Sequence, residues 1–368
     1  TNHLDILKFK HQSTLGIFMK KLFLMGSIFL FVVILYQQRA PLSVEIMKRA
    51  LDAQFSSLSL IDLPDGLSAV LCGAGSPMPS KNRSGPCIAV IAGETLFIVD
   101  AGDGVGNLNG LGLPAGDIDT VFLTHFHSDH IDGLGQLAMN RWVAGNNSKP
   151  LPVLGPLGTK IVVEGFNQAY SQDAQYRNAH HGDSVAMLSG AGMIASEFEV
   201  PGIKSEILVY EKNEISVIAF SVDHFPVSPA VGYKFKYKDR EIVISGDTKK
   251  SQNVAYFSKN ADLLIHEALN SVLVNIVEDI ALKNNRKILA KIAYDIPDYH
   301  TTPIEVAETA RDSNVKHLLF YHVVPPTPIF GLEAAWLKGV EEIFPNFTLG
   351  TDGTTISLPA NSDEVIVN

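Results

Sequence analysis

Thr124-His125-Phe126-His127-Ser128-Asp129-His130 decides how this chain is read. Three imidazoles and a carboxylate are crowded into the last six positions of that stretch. Neutral imidazole is the commonest protein ligand for metals, and a neighbouring carboxylate suits a hard divalent ion. The preceding Asp119-Thr120-Val121-Phe122-Leu123 reads as a buried strand, and Ile131-Asp132-Gly133-Leu134-Gly135 lets the backbone bend after the ligands. A strand that runs into a ligand-dense loop is how a rigid scaffold presents a metal site. Packing alone gives no reason for the spacing H-x-H-x-D-H.

Further ligand types stand at later strand ends. His224 follows the apolar run 215–220, Asp247 follows 241–244, and His322 closes 317–322. Strands are also read at 67–72, 86–92, 95–99, 152–155, 207–210 and 230–237, with helices at 158–170, 271–294, 303–314 and 331–343. Thr302-Pro303 is a fitting helix start. Residues 171–193 read as a polar, irregular stretch, and its His180-His181 pair as solvated, because sequence neighbours rarely converge on one ion. Strands followed by helices, twice over, predict two packed sheets with helices outside.

With these ligands in place the sequence resembles the metallo-β-lactamase-fold hydrolases, whose fold is a four-layer αββα sandwich. The resemblance implies two zinc ions, with manganese or iron as alternatives. His125, His127 and His224 would hold one metal, Asp129, His130 and His322 the other, and Asp247 would bridge them. Asp100, after the strand 95–99, would orient the metal loop; an ordinary turn carboxylate is the other reading. Two-metal centres of this kind generate hydroxide at neutral pH. The resemblance therefore implies hydrolysis and leaves the substrate open.

Three shorter segments are similar to ribonuclease Z. Pro79-Ser80-Lys81-Asn82-Arg83-Ser84 resembles its P-x-K-x-R-N loop, with Ser84 in place of Asn. His266-Glu267-Ala268 resembles its H-E-A-T segment, and His300-Thr301-Thr302 its H-S-T segment. By that resemblance Asp129 assists the attacking water, His300 protonates the leaving oxygen and Glu267 orients His300. An alkoxide leaves poorly, so a phosphodiester needs such an acid. Lys81 and Arg83 are expected to bind an anionic substrate. The family's basic, Gly/Pro-rich arm for the tRNA elbow has no counterpart here: residues 171–200 contain one Arg, Arg177, and no Lys. Phosphate contacts supply much of the affinity for nucleic acid, so the missing arm counts against precursor tRNA, which is one candidate substrate, with small phosphodiesters another.

The 368 residues, 46% hydrophobic, suffice for a large core. A formal charge of -10 speaks against an extended polyanion-binding surface. Cys72 and Cys87 form no zinc cluster or disulfide framework. They read as small buried hydrophobes, and a bridge between them stays open.

Leu22–Tyr36 is an uncharged apolar run preceded by Lys20-Lys21. It is short for a span of about 20 residues and fits a secretory signal or an uncleaved anchor. Met19 reads as a natural start, with 1–18 as an upstream extension. The expected organisation is an extension and signal or anchor over 1–40, a linker over 41–65 with a short amphipathic helix, a hydrolase domain over 66–360 and a tail over 361–368. Export, or attachment to a membrane through residues 20–36, follows, with a periplasmic site in a bacterium and a cytoplasmic one only if 1–40 is no signal. Family members often dimerise, so a homodimer is a further expectation. The leading function is phosphodiester hydrolysis; the alternative is an exported hydrolase of β-lactams, lactones or sulfate esters.

Overall fold

The structure, a computed structural model, describes residues 3–56 and 63–368. It divides into two units. The N-terminal unit has two helices, His3–Gln37 and Arg39–Ser56. Within the first, Met19–Gln37 is long and apolar enough to cross a membrane by length and composition. The second covers most of the expected linker, and residues 57–62 of that linker lie outside the described residues.

The second unit pairs its apolar runs into strands β1 (Gly66–Gly73), β2 (Cys87–Ala92), β3 (Thr95–Val99), β4 (Ile118–Phe122), β5 (Leu151–Pro156), β6 (Met193–Phe198), β7 (Ile207–Lys212), β8 (Ile215–Ser221), β9 (Val231–Tyr237), β10 (Arg240–Ile244), β11 (Leu263–Leu269), β12 (His317–Val324), β13 (Phe347–Leu349), β14 (Thr355–Pro359) and β15 (Ile366–Val367). One sheet has the order β15-β14-β1-β2-β3-β4-β5-β6, the other β13-β12-β11-β10-β9-β8-β7. Each is antiparallel on one side and parallel on the other. Parallel neighbours need crossover connections, which carry the helices to the outer faces.

The alternate residues of the strands divide cleanly. Leu67, Leu71, Val90 and Phe97 of the first sheet meet Val217, Tyr233, Phe235 and Ile265 of the second in the central core. Val70, Ile91 and Ile98 face the other way, onto Leu134 and Leu137 of helix Leu134–Ala144 and Val163 of helix Thr159–His181. On the far side of the second sheet, Val243, Leu264 and Phe320 pack with Val306 and Ala310 of helix Pro303–Asp312 and with Trp336. The result is four layers, helix, sheet, sheet, helix, as the resemblance implies. Each fully buried Leu, Ile or Phe contributes about 1.5–3 kcal/mol, so the central layer alone carries much of the stability.

Several expectations are corrected. Residues 171–181, read as irregular, continue the helix from Thr159 to His181. Ala, Gln and Arg are good helix formers, and the Arg177 Nε donates to Asp173 Oδ2 at 2.7 Å one turn away. Gly182, at φ 71, ends the helix. The polarity that suggested a loop belongs to a solvent-facing helix. The helix read at 271–294 is two, Ser271–Lys283 and Lys287–Asp295, because Asn285 adopts φ 56 between them. The helix at 331–343 is likewise broken at Gly339, φ 87. Within the expected tail, Ile366 and Val367 pair with Ser357 and Ile356 and extend the first sheet. Cys72 and Cys87, on adjacent strands with Cα atoms 5.0 Å apart, are joined in a disulfide.

Candidate metal centre and active site

β4 delivers Thr124 and His125 to the gap between the sheets. Asp100, just beyond β3 and held at φ 58, takes the main role in orienting that loop. Its Oδ1 accepts from the Thr124 backbone N–H at 2.8 Å, and its Oδ2 accepts from the Thr124 hydroxyl at 2.8 Å and lies 2.7 Å from His130 Nδ1. Of the two readings of Asp100, the geometry fits the orienting one.

These bonds decide which ring nitrogens carry protons. The Thr124 hydroxyl gives its proton to Asp100, so it accepts from His125 Nδ1, 3.0 Å away. His224 Nδ1 faces the Tyr299 carbonyl at 2.8 Å, which only accepts. Both rings therefore turn a bare Nε2 into the site. His125 Nε2 lies 3.0 Å and His224 Nε2 3.4 Å from His127 Nδ1. One proton on His127 could satisfy only one of them, whereas a cation among the three satisfies all. Burial lowers the pKa of each of these imidazoles, that of His224 to about 4, which keeps them neutral and fit to ligate.

Asp129, His130 and His322 form the second group. Asp129 Oδ2 is 3.3 Å from His322 Nε2 and 3.7 Å from His130 Nε2. Asp247 Oδ2 sits between the groups, 3.3 Å from His130 Nε2, 3.4 Å from His322 Nε2, and 3.9 Å from both His125 Nε2 and His224 Nε2. Burial pushes the Asp247 carboxyl up, but His322 and His130 outweigh it and hold the group well below the usual carboxylate range. Among the described residues, His130 Nε2 and Asp247 Oδ1 are buried without a hydrogen-bond partner. A buried lone pair without a donor is costly, and divalent cations satisfy both atom types. The donor set thus fits divalent metal.

The backbone pays for this convergence at two places. His322 is not a strand-end residue, since β12 runs on to Val324. The pairing of β11 with β12 slips between Glu267 and Ala268, and His322 is the extra residue, at φ 46. A bulge of this kind re-aims one side chain without ending the strand. Asp247 follows Gly246 at φ 62, where an added Cβ would come within 2.7 Å of the Val231 carbonyl oxygen.

Glu267 and His300 lie beside the ligands. Glu267 is fully buried. Its Oε1 accepts from the Thr301 N–H at 2.9 Å, and its Oε2 is 3.1 Å from His300 Nδ1. Burial, with Asp247 second, raises the Glu267 pKa, and burial lowers that of His300 to about 4. A capping box between Thr302 and Glu305 starts helix Pro303–Asp312 immediately after this pair and fixes its backbone. His300 also groups with Asp247 and His322 at ligand distances.

A cavity of about 260 Å³ opens onto the centre. His127, Asp129, Asp247, His300 and His322 form its polar floor; Met78, Ile292, Ile296, Tyr299 and Val324 form an apolar wall. The sequence reading had not singled out that wall. Tyr299 carried one signal, its place next to His300.

Lys81 and Arg83 are not among the residues lining this cavity. Lys81 is exposed and borders a separate shallow depression with Asn107 and Thr351. Arg83 is buried, and its guanidinium donates to Gly350 O at 2.7 Å, Thr327 Oγ1 at 3.0 Å and Glu333 Oε1 at 2.8 Å. The expectation that Arg83 grips substrate is thereby corrected: its donors tie its own loop to Gly350, to Thr327 and to the helix Leu332–Trp336. His180 and His181 are exposed at the end of their helix, away from either ligand group.

A family model described as anti-Pycsar protein Apyc1 matches residues 67–276, more than half of the chain. Ribonuclease Z of Mycolicibacterium gilvum (strain PYR-GCK) is 34% identical over 262 residues, 70% of this chain and 85% of that protein. Human tRNase Z, short form, superposes with a TM-score of 0.58 at 21% identity, covering 79% of this chain and 99% of that one. The metallo-β-lactamase fold protein YhfI from Bacillus subtilis gives 0.55 at 19% identity, covering 79% and 99%. On sequence, fold and ligand set together, the chain belongs to the ribonuclease Z family of metallo-β-lactamase-fold proteins, in the group that the Apyc1 family model describes.

Proposed function

We propose that the chain is a two-zinc phosphodiesterase acting on small phosphodiesters outside the cytoplasm. Family membership makes it a hydrolytic enzyme of the phosphodiester-cleaving class, and its His/Asp groups make it metal-binding. The observation that carries the finer reading is the His300–Glu267 pair set against the ligands in one cavity. Ester hydrolysis with a good leaving group needs no such acid; an alkoxide does.

When bound, the metals supply Lewis acidity and a nucleophilic hydroxide at neutral pH. The protein's own residues do the rest. Asp129, at the cavity floor, is positioned to accept a hydrogen bond from the attacking water. Glu267 Oε2 holds His300 at Nδ1, which leaves Nε2 to hand a proton to the leaving oxygen as the P–O bond breaks. An anionic phosphate in the cavity favours the imidazolium that this transfer requires.

The size of the cavity supports a small substrate. The helix 159–181 in the mid-chain region contains two cations, Lys160 and Arg177, each paired one turn along with Glu164 and Asp173. That is little with which to hold a tRNA. The apolar helix Met19–Gln37 and the Cys72–Cys87 disulfide support an exported or anchored protein, since disulfides persist in oxidising compartments. The apolar wall keeps a second reading open, an exported hydrolase of β-lactams, lactones or sulfate esters. Turnover of a chromogenic phosphodiester and of a β-lactam by the full chain, with and without chelator, separates the two. Chelator-sensitive phosphodiester cleavage is expected; β-lactam turnover alone would overturn the proposal, and precursor tRNA cleavage would replace the small substrate.

A further inference from the structure

The hairpin of helices Ser271–Lys283 and Lys287–Asp295 leaves much of its apolar surface uncovered. Val272, Ile276 and Ile280, one turn apart, are all exposed, as are Ile288 and Leu289, with Val272 at 68% and Ile288 at 80% of full exposure. Scattered exposed apolar residues are ordinary on a soluble surface; a helix stripe of them marks an interaction face. The stripe also leads somewhere. Ile292, one turn beyond Ile288, is half exposed and at the same time forms part of the apolar wall of the catalytic cavity. An uncovered apolar face therefore runs into the site.

The charge on this hairpin says what covers it. Lys283, Arg286, Lys287 and Lys291 are all exposed and lie within residues 283–291, a segment that contains no acid. Of these, Lys291 pairs with Asp295. The hairpin's other acids, Glu278 and Asp279, lie on the first helix, ahead of this segment. In a chain of formal charge -10 this is a local reversal of sign. Exposed Ile and Leu interleaved with Lys and Arg are the pattern of a helix lying in the interface of an anionic bilayer. A second copy of this chain fits less well, because matching hairpins would set like charges against each other.

We propose that the hairpin 271–295 docks on an anionic lipid surface and delivers to the cavity the phosphodiester of an amphiphile held there. The docking stands on its own; the delivery rests on the phosphodiesterase reading. The lipid's apolar chain would follow the stripe past Ile292, with its phosphate reaching the ligand floor.

The test uses the full chain reconstituted in vesicles. An environment-sensitive fluorophore is placed on Leu289→Cys and, as control, on Ile203→Cys, an exposed apolar position in the loop after β6. In phosphatidylcholine vesicles containing phosphatidylglycerol, the label at 289 should shift to the blue and be shielded from aqueous iodide, and that at 203 should not. The pair Ile288→Glu and Leu289→Glu should lower turnover of a long-chain alkyl p-nitrophenyl phosphodiester in those vesicles by about ten-fold or more, since two apolar contacts with the bilayer are replaced by carboxylates that an anionic surface repels. Its turnover of a soluble p-nitrophenyl phosphodiester should be unchanged. Equal emission and quenching at 289 and 203 would overturn the docking. So would a shift at 289 that appears without vesicles and grows with protein concentration, which would mark a face between copies. Equal loss on both substrates would overturn the delivery. Failure of the parent chain to cleave either phosphodiester would instead sink the phosphodiesterase reading, with the fluorescence still deciding the docking.

Discussion

At Asp247 one carboxylate oxygen stands within 3.9 Å of four imidazole nitrogens drawn from both ligand groups. Asp247→Ala should therefore lower metal content in both groups together, and elemental analysis after dialysis is the check. Loss of one equivalent with the other retained would remove the bridging role. His300 makes a different prediction, because its part depends on the leaving group. His300→Ala should slow cleavage of an alkyl phosphodiester by about 10²–10⁴-fold, and that of a p-nitrophenyl ester much less. The same loss on both would take the acid role from it. These residues were legible because ligand types stand out by chemistry. Asp100 was half legible: a carboxylate after a strand is common, and only the bonds to Thr124 and His130 single it out.

Elements were legible where their periodicity was apolar and misread where it was polar. The ten strands expected from the sequence fall close to their positions because the buried strands are almost wholly apolar; β11, whose apolar run is interrupted by His266 and Glu267, and β6, β13, β14 and β15 were not expected. Helix Thr159–His181 was cut short in the reading because its second half faces water. Loop 74–84 was misjudged for the opposite reason: a cation in a polar loop looks exposed, and Arg83 is buried. Arg83→Met should unclamp this loop from residues 327, 333 and 350, costing about 1–3 kcal/mol and lowering the urea midpoint. KM for a phosphodiester should move little. An unchanged midpoint with a raised KM would return Arg83 to substrate binding.

For the whole molecule, acid stability reports how tightly the second sheet encloses its polar groups. His266 on β11 is fully buried, and burial lowers its pKa from 6.5 to about 4, its Nδ1 donating to the Glu267 carbonyl at 2.6 Å. Above pH 6.5 it is neutral whether the chain is folded or not and adds no pH dependence. As pH falls from 6.5 to about 4 the unfolded chain takes up a proton that the folded one refuses, so stability declines. The decline attributable to this group is about 3 kcal/mol, complete once the folded state also protonates. Urea titrations of metal-free protein across this range should lose one proton's worth of slope in His266→Asn. An unaltered slope would show that His266 protonates without unfolding.

The H-x-H-x-D-H motif, the later His and Asp residues and the apolar strand pattern determined the fold class and pointed to the residues that gather as candidate ligand groups, because metal chemistry and buried strands each demand particular residue types at short spacing. Tertiary structure alone decided that the β12 bulge turns His322 inward and that Arg83 serves the scaffold. It also decided that Ile292, Ile296 and Tyr299 wall the cavity. Those outcomes depend on contacts between residues far apart in the chain, where no local pattern of spacing can register them.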